Sequence, residues 1–191
     1  MKSTRRNLLA GSVAFGASLV ALRAHADPAL TEDGFYKQPW FLDSFLELAD
    51  DLQSAAKSGK RFAIIWELRG CPYCRETHLV NFARADIEDY IKSNFDILQL
   101  NIIGGRKVTD FDGTEMSEKA LAAKYGIRFT PTVQFFPEKP DALSGKPPEK
   151  REIARAAGYL RPDDFLAMFR FVREKEYERK SFRDYVKAVR S

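Results

Sequence analysis

Two cysteines, Cys71 and Cys74, follow closely on a short apolar run, Arg61 to Leu68, whose centre reads Phe62-Ala63-Ile64-Ile65-Trp66. A run this short and this apolar reads as a strand buried on both faces. Cys74 to Ala83 then reads as a helix. A buried strand passing through Cys71-Pro72-Tyr73-Cys74 into a helix constrains the fold strongly, because both faces of the strand must be covered by other elements. The rest of the chain supplies them. Helical spacing covers Leu42 to Ala56, with Ser58-Gly59-Lys60 as its end, and again Ala85 to Asn94. A second strand is expected over Phe95 to Ile103, a hairpin turn at Asp112-Gly113 within Val108 to Glu115, and an alanine-rich helix over Ser117 to Tyr125. Thr132 to Phe136 is a third buried strand, and 137–150, with four prolines, a surface loop. Arg151 to Ala156 is a candidate edge strand. Pro162 opens a long helix to about Glu178, and Phe182, Tyr185, Val186 and Val189 mark one face of a last helix. Helices alternating with apolar strands imply a three-layer α/β domain, with Asp27 to Trp40 as a lead-in and 179–191 as a helical extension.

The cysteine pair carries the chemistry. A cysteine at a helix N-terminus meets free backbone N–H groups and the positive end of the helix dipole, which favour thiolate. The two-residue spacer lets both sulfurs meet, so the pair can cycle between dithiol and disulfide. Cys71, expected at the exposed tip, attacks a substrate disulfide or receives attack through a mixed disulfide. Cys74, one turn further in, resolves it. Pro72 suits the first helical turn, and Tyr73 places a flat surface and a hydroxyl beside the sulfurs. Half of a zinc site is a poor alternative. There is no second cysteine pair, and His78 is the one histidine after residue 26. A purely structural disulfide across so small a loop would constrain little of the unfolded chain.

The formal charge of +4 and a pI near 9.0 suggest a nucleic-acid partner until their origin is traced. Lys2, Arg5, Arg6 and Arg23 lie in residues 1–26, which contain no acid, and the remainder is formally neutral. The basic start, the apolar stretch Leu8 to Leu22 and Ala24-His25-Ala26 form an export signal, with the mature chain starting at Asp27. The stretch is short for a retained membrane anchor. Thr4-Arg5-Arg6-Asn7-Leu8-Leu9 resembles the twin-arginine motif, a general secretory signal being the alternative. Either route ends in an oxidising compartment, read as a bacterial periplasm.

Thr130-Pro131 precedes a buried strand. It reads either as an ordinary trans loop or as a cis-proline in a turn facing the cysteines, which leaves the Thr130 backbone free for an extended substrate. Cys71-Pro72-Tyr73-Cys74, Lys124-Tyr125-Gly126-Ile127-Arg128, Thr130-Pro131-Thr132 and Ala157-Gly158-Tyr159-Leu160 together resemble thioredoxin. More narrowly, the chain is similar to the periplasmic SoxW-type proteins of sulfur-oxidation gene clusters. The runs that carry this are Trp40-Phe41, Trp66-Glu67, Gly70 to Cys74, Thr109-Asp110-Phe111-Asp112-Gly113, Phe129 to Thr132 and Ser181-Phe182-Arg183-Asp184-Tyr185.

The resemblance implies a thioredoxin fold with a central mixed sheet, and the cis form at Pro131. It also implies thiol–disulfide exchange in the periplasm, with reducing power from a membrane electron donor. The chain departs from cytoplasmic thioredoxin in its Pro-Tyr dipeptide, in Ile65 where thioredoxin has an acid, and in Thr130 where it often has isoleucine.

Several residues around the pair are open to two readings. Glu67, four residues before Cys71, is either the proton relay for Cys74 or a solvent-facing carboxylate at the strand end. His78 either tunes the thiols or is a half-exposed helix residue, the second being the simpler reading. Arg69 and Arg75 flank the pair as tuning cations or solvated charges. Asp110 to Glu115 faintly resembles a calcium loop but lacks its remaining ligands, and reads as the hairpin turn.

The expectation is a periplasmic thiol–disulfide oxidoreductase that reduces protein disulfides, with Cys71 and Cys74 catalytic and Pro72, Tyr73, Thr130, Pro131 and Glu67 in support. Its redox-active disulfide Cys71–Cys74 needs no organic cofactor and no metal. The partners expected are protein disulfides or thiols and a membrane electron donor, with no nucleic acid. The mature chain is expected to be monomeric and not to span the membrane. The alternatives are a disulfide oxidase or isomerase, and a peptide-binding or chaperone module that does not use its thiols.

Overall fold

The structure, a computed structural model, describes residues 28–190. The export signal and its cleavage site lie outside the described residues.

The lead-in forms a small antiparallel hairpin, β1 (Ala29–Leu30) with β2 (Tyr36–Lys37). Helix α1 (Leu48–Lys57) is followed by β3 (Arg61–Glu67), whose seven residues are all buried. After the cysteines come α2 (Pro72–Glu76), a π-helical stretch over Thr77–Asn81, and α3 (Ala85–Asn94). Strand β4 (Phe95–Asn101) leads to the hairpin β5 (Lys107–Thr109) and β6 (Glu115–Ser117), then to α4 (Glu118–Lys124). Strand β7 (Thr132–Phe135) and β8 (Ala154–Ala157) precede α5 (Pro162–Arg173) and α6 (Phe182–Arg190).

The central sheet is mixed, in the order β4-β3-β7-β8. β3 runs parallel to β4 and antiparallel to β7, and β7 pairs antiparallel with β8. This is the thioredoxin fold, with helices on both faces. Alternation along β3 builds two cores. Phe62, Ile64 and Trp66 pack with Leu48 and Leu52 of α1 and Leu121 of α4. Ala63 and Ile65 pack with Ile87 and Ile91 of α3 and Phe165 and Phe169 of α5.

Three helix boundaries differ from the sequence expectation. α1 begins at Leu48, not Leu42, because the preceding backbone is bound elsewhere. Leu42 N–H donates to the Ile97 carbonyl, and Thr109 N–H to that of Leu46. Leu46 takes a φ of +66° and Phe45 is 97% exposed. α5 ends at Arg173 rather than Glu178, where Lys175 at φ +58° reverses the chain into a single 3-10 turn, Glu176–Glu178. The cysteine helix is α-helical only to Glu76 before its π segment. The Asp110 to Glu115 stretch is a hairpin. Its Asp110 and Asp112 carboxylates are paired with Lys124 and Arg151.

Candidate active site

The cysteines sit where β3 hands over to α2. Gly70, at φ +76°, makes the bend, and Cys71 N–H donates back to the Leu68 carbonyl. Cys71 is the N-cap of α2, in extended conformation, with Pro72 in the first turn. Its Sγ accepts a hydrogen bond from the Cys74 N–H at 3.2 Å. Both cysteines are free thiols, Cys71 half-buried and Cys74 buried. Burial pushes the Cys74 thiol far above its ordinary range. Its hydrogen bond with Cys71 and the nearby charge of Glu67 act in the same direction.

Across from Cys71 stands the Thr130-Pro131 peptide, which is cis. Thr130 Oγ1 donates to Cys71 Sγ at 3.4 Å, and the Cys71 thiol donates to the Thr130 carbonyl at 3.6 Å. The Pro131 carbonyl is occupied by the Gly158 N–H at 2.8 Å. Tyr73 stacks on Tyr159 with ring centroids 5.8 Å apart. The Tyr159 hydroxyl donates to Asn81, whose amide donates in turn to the Leu160 carbonyl. Tyr73, in the first turn of the cysteine helix, and Phe129, next to Thr130 in the chain, are 56% and 66% exposed.

Glu67 and His78 depart from their simpler sequence readings. Glu67 shares a strand face with Ala63 and Ile65, so it points beneath the cysteine helix and is buried rather than solvent-facing. His78, one helical turn on from Cys74, is also completely buried rather than half-exposed. The two meet at 2.9 Å between His78 Nε2 and Glu67 Oε1. Gln99 of β4 donates to Glu67 Oε2, and Gln38 of the lead-in meets His78 Nδ1 at 3.3 Å. A cavity of about 350 Å³ lies between the lead-in hairpin and this group, lined by Tyr36, Glu67, Cys71, Cys74, Arg75 and His78.

Cys71, Cys74, Pro72, Tyr73, Thr130, Pro131 and Glu67 therefore gather at one end of the sheet. Arg75 lines the cavity, while Arg69 is exposed and lies against Gly34. Sequence reasoning missed Gln38, Gln99 and Asn81. Neutral amides carry no spacing signal, and the Asp33-Gly34 turn was the one hint that the lead-in folds back. Chemically, the arrangement offers an accessible sulfur, a second thiol behind it, and a backbone carbonyl beside it for an extended chain.

Structural likeness runs along the same lines. A thioredoxin-fold protein from Helicobacter pylori is 24% identical, with a TM-score of 0.51 over 69% of this chain and 81% of its own. A Thermus thermophilus thioredoxin is 20% identical, with a TM-score of 0.49 over 66% and 83%. The DsbH oxidoreductase is 9% identical, with a TM-score of 0.47 over 85% and 95%. At 24% identity the first of these likenesses is one of fold alone. Among curated proteins, none matches this sequence. The sequence profile of the Thioredoxin-like domain matches residues 48–173, a stretch that holds both cysteines and the Thr130-Pro131 turn, and on that match the chain belongs to the thioredoxin-like domain family.

Proposed function

We propose that this chain is a periplasmic thiol–disulfide oxidoreductase of the SoxW-like kind, exported by its N-terminal signal and working as a reductase of protein disulfides. One observation carries the reading: an accessible Cys71 Sγ faces Thr130 while the Cys74 thiol is buried directly behind it. The Cys71 thiolate attacks a substrate disulfide. A Cys71–substrate disulfide forms, and the displaced substrate sulfur leaves as thiolate and takes up a proton. Cys74 then gives its proton to Glu67 and attacks Cys71 Sγ, which releases the second substrate sulfur. The substrate gains two electrons, and the chain is left with a Cys71–Cys74 disulfide. A membrane dithiol donor returns it to the starting state.

The deciding experiment is the equilibrium of the pair against a glutathione redox buffer. A potential near about −270 mV, the thioredoxin value, is expected for a reductase. A value near about −120 mV would instead make the chain a disulfide donor. A pair that never exchanges, with Cys71→Ser retaining function, would make it a peptide-binding module.

A further inference from the structure

Glu67, His78, Gln38 and Gln99 form a linked set beneath the cysteine helix, and the partners define each member's orientation. Gln38 Nε2 reaches both His78 Nδ1, at 3.3 Å, and the His78 carbonyl, at 3.4 Å. A carbonyl only accepts, so the amide presents its NH2 end to the ring. Nδ1 is therefore the acceptor, and the ring proton sits on Nε2, donated to Glu67 Oε1. Gln99 Nε2 is fixed in the same way, donating to the Tyr36 carbonyl as well as to Glu67 Oε2. The rings of Tyr36, Phe41 and Phe82 surround the imidazole, with centroids 6.2, 5.6 and 5.5 Å away.

Among the described residues, then, Glu67 is held by one imidazole N–H and one amide N–H, with no hydrogen bond from lysine or arginine. The groups facing it from the surrounding elements are Cys71, Cys74 and Arg75 of the cysteine loop and helix, Tyr36 of the lead-in, and His78. Cys74 and Glu67 both line the cavity, whose volume of about 350 Å³ admits water between them.

We propose that His78 and Gln38 are positioning residues that hold Glu67 as the proton acceptor of Cys74, so that the lead-in strand is a working part of the redox site. The inference rests on the reading of Cys74 as the resolving thiol. In the resolving step the Cys74 S–H bond breaks and its proton passes to Glu67. The sulfur's electron pair forms the bond to Cys71 Sγ. The Cys71–substrate S–S bond breaks, its electron pair stays with the departing substrate sulfur, and Glu67 gives up the proton as that sulfur is protonated.

The test loads Cys71 with thionitrobenzoate from the chromogenic aryl disulfide DTNB and follows two events, the first attack and the release when Cys74 resolves the adduct. His78→Gln and Gln38→Leu are expected to lower the ratio of release to first attack about tenfold at pH 7 and to move the pH profile of release by about one unit. Glu67→Gln is expected to do the same, with Glu67→Gln/His78→Gln no slower than Glu67→Gln alone. If only Glu67→Gln moves the profile, the inference falls while the Glu67 reading stands. If the unaltered protein releases nothing, both fall. Independently of the variants, 15N shifts of the His78 ring in the reduced protein should show the Nε2-protonated tautomer, and the Nδ1-protonated form would overturn the inference.

Discussion

The side chain of Arg69 lies against Gly34 so closely that a Cβ built there would stand 2.8 Å from the Arg69 Cδ. Gly34 also has a φ of +82°, where an L side chain is strained. The lead-in hairpin is thus seated on the loop that enters the cysteine helix. Gly34→Ala is expected to cost about 1–3 kcal/mol in denaturant unfolding, through backbone strain and displacement of Arg69. Amide exchange should quicken at Tyr36 to Gln38 before it does in β3. Unchanged protection there would mean that the hairpin sits on the domain without this contact.

Arg151 is a second fixed point, remote from the cysteines. Its guanidinium meets the fully buried Asp110 carboxylate at 2.8 Å and Asp112 at 2.9 Å, and the Tyr125 hydroxyl donates to Asp110. Arg151→Met removes the guanidinium from a buried acid that retains Lys124 and Tyr125 as partners. The expected loss is about 3 kcal/mol, at the lower end for a broken buried pair, measured by urea unfolding. Arg151→Met/Asp110→Asn should recover part of it, since the uncompensated charge goes as well. Equal stability of the two variants would count against charge burial as the cause.

Strand β3 and helix α5 were legible in the sequence because their patterns are governed by local burial. β3 is an unbroken apolar run, and Phe165, Phe169 and Val172 repeat on one helical face. The hairpin at Asp112-Gly113 was legible from its turn chemistry, since Gly113 does take φ +78°. Leu42, Phe45 and Leu46 misled because spacing alone does not reveal that the backbone of Leu42 and Leu46 is engaged by β4 and β5. The cysteines stand out through spacing, and Thr130-Pro131 through its place before a strand. His78 did not, because a histidine on a helix looks the same whether it faces water or a carboxylate. Its burial depends on Glu67 arriving from another element, and on Gln38 from forty residues upstream.

Asp112 gives a signed pH prediction. Burial acts to raise its carboxyl, but hydrogen bonds from Lys124, Arg151 and Thr114 outweigh this and hold it well below the usual carboxylate range. A group depressed in the folded state adds stability above its unfolded value, about 3.9 for aspartate, and loses it as pH falls through the folded value. The difference in Tm between the unaltered protein and Asp112→Asn should be constant above about pH 5 and shrink progressively below about pH 4. Thermal melts in a pH series check this. A difference that grows with acidification would reverse the sign of the assignment.

Tyr73 and Phe129 separate two kinds of substrate. Both are more than half exposed, Tyr73 two residues after Cys71 and Phe129 next to the Thr130 that meets Cys71, and Tyr73 stacks on Tyr159. A protein segment lying along Thr130 would cover both rings, whereas a small disulfide reaching only the sulfur would cover neither. Burying an aromatic anchor of this kind is worth about 1–2 kcal/mol in binding, which is about tenfold. Phe129→Ala is therefore expected to raise KM for a protein disulfide about tenfold, leaving kcat and the rate with hydroxyethyl disulfide within about twofold. Tyr159→Ala should act in the same direction through Tyr73, and more weakly, because it loosens one ring without removing it. Steady-state reduction of a protein disulfide and of hydroxyethyl disulfide by the same preparations separates the outcomes. A parallel fall with both substrates would place Phe129 in support of Cys71 itself, and no change with either would leave Phe129 without a part in substrate binding.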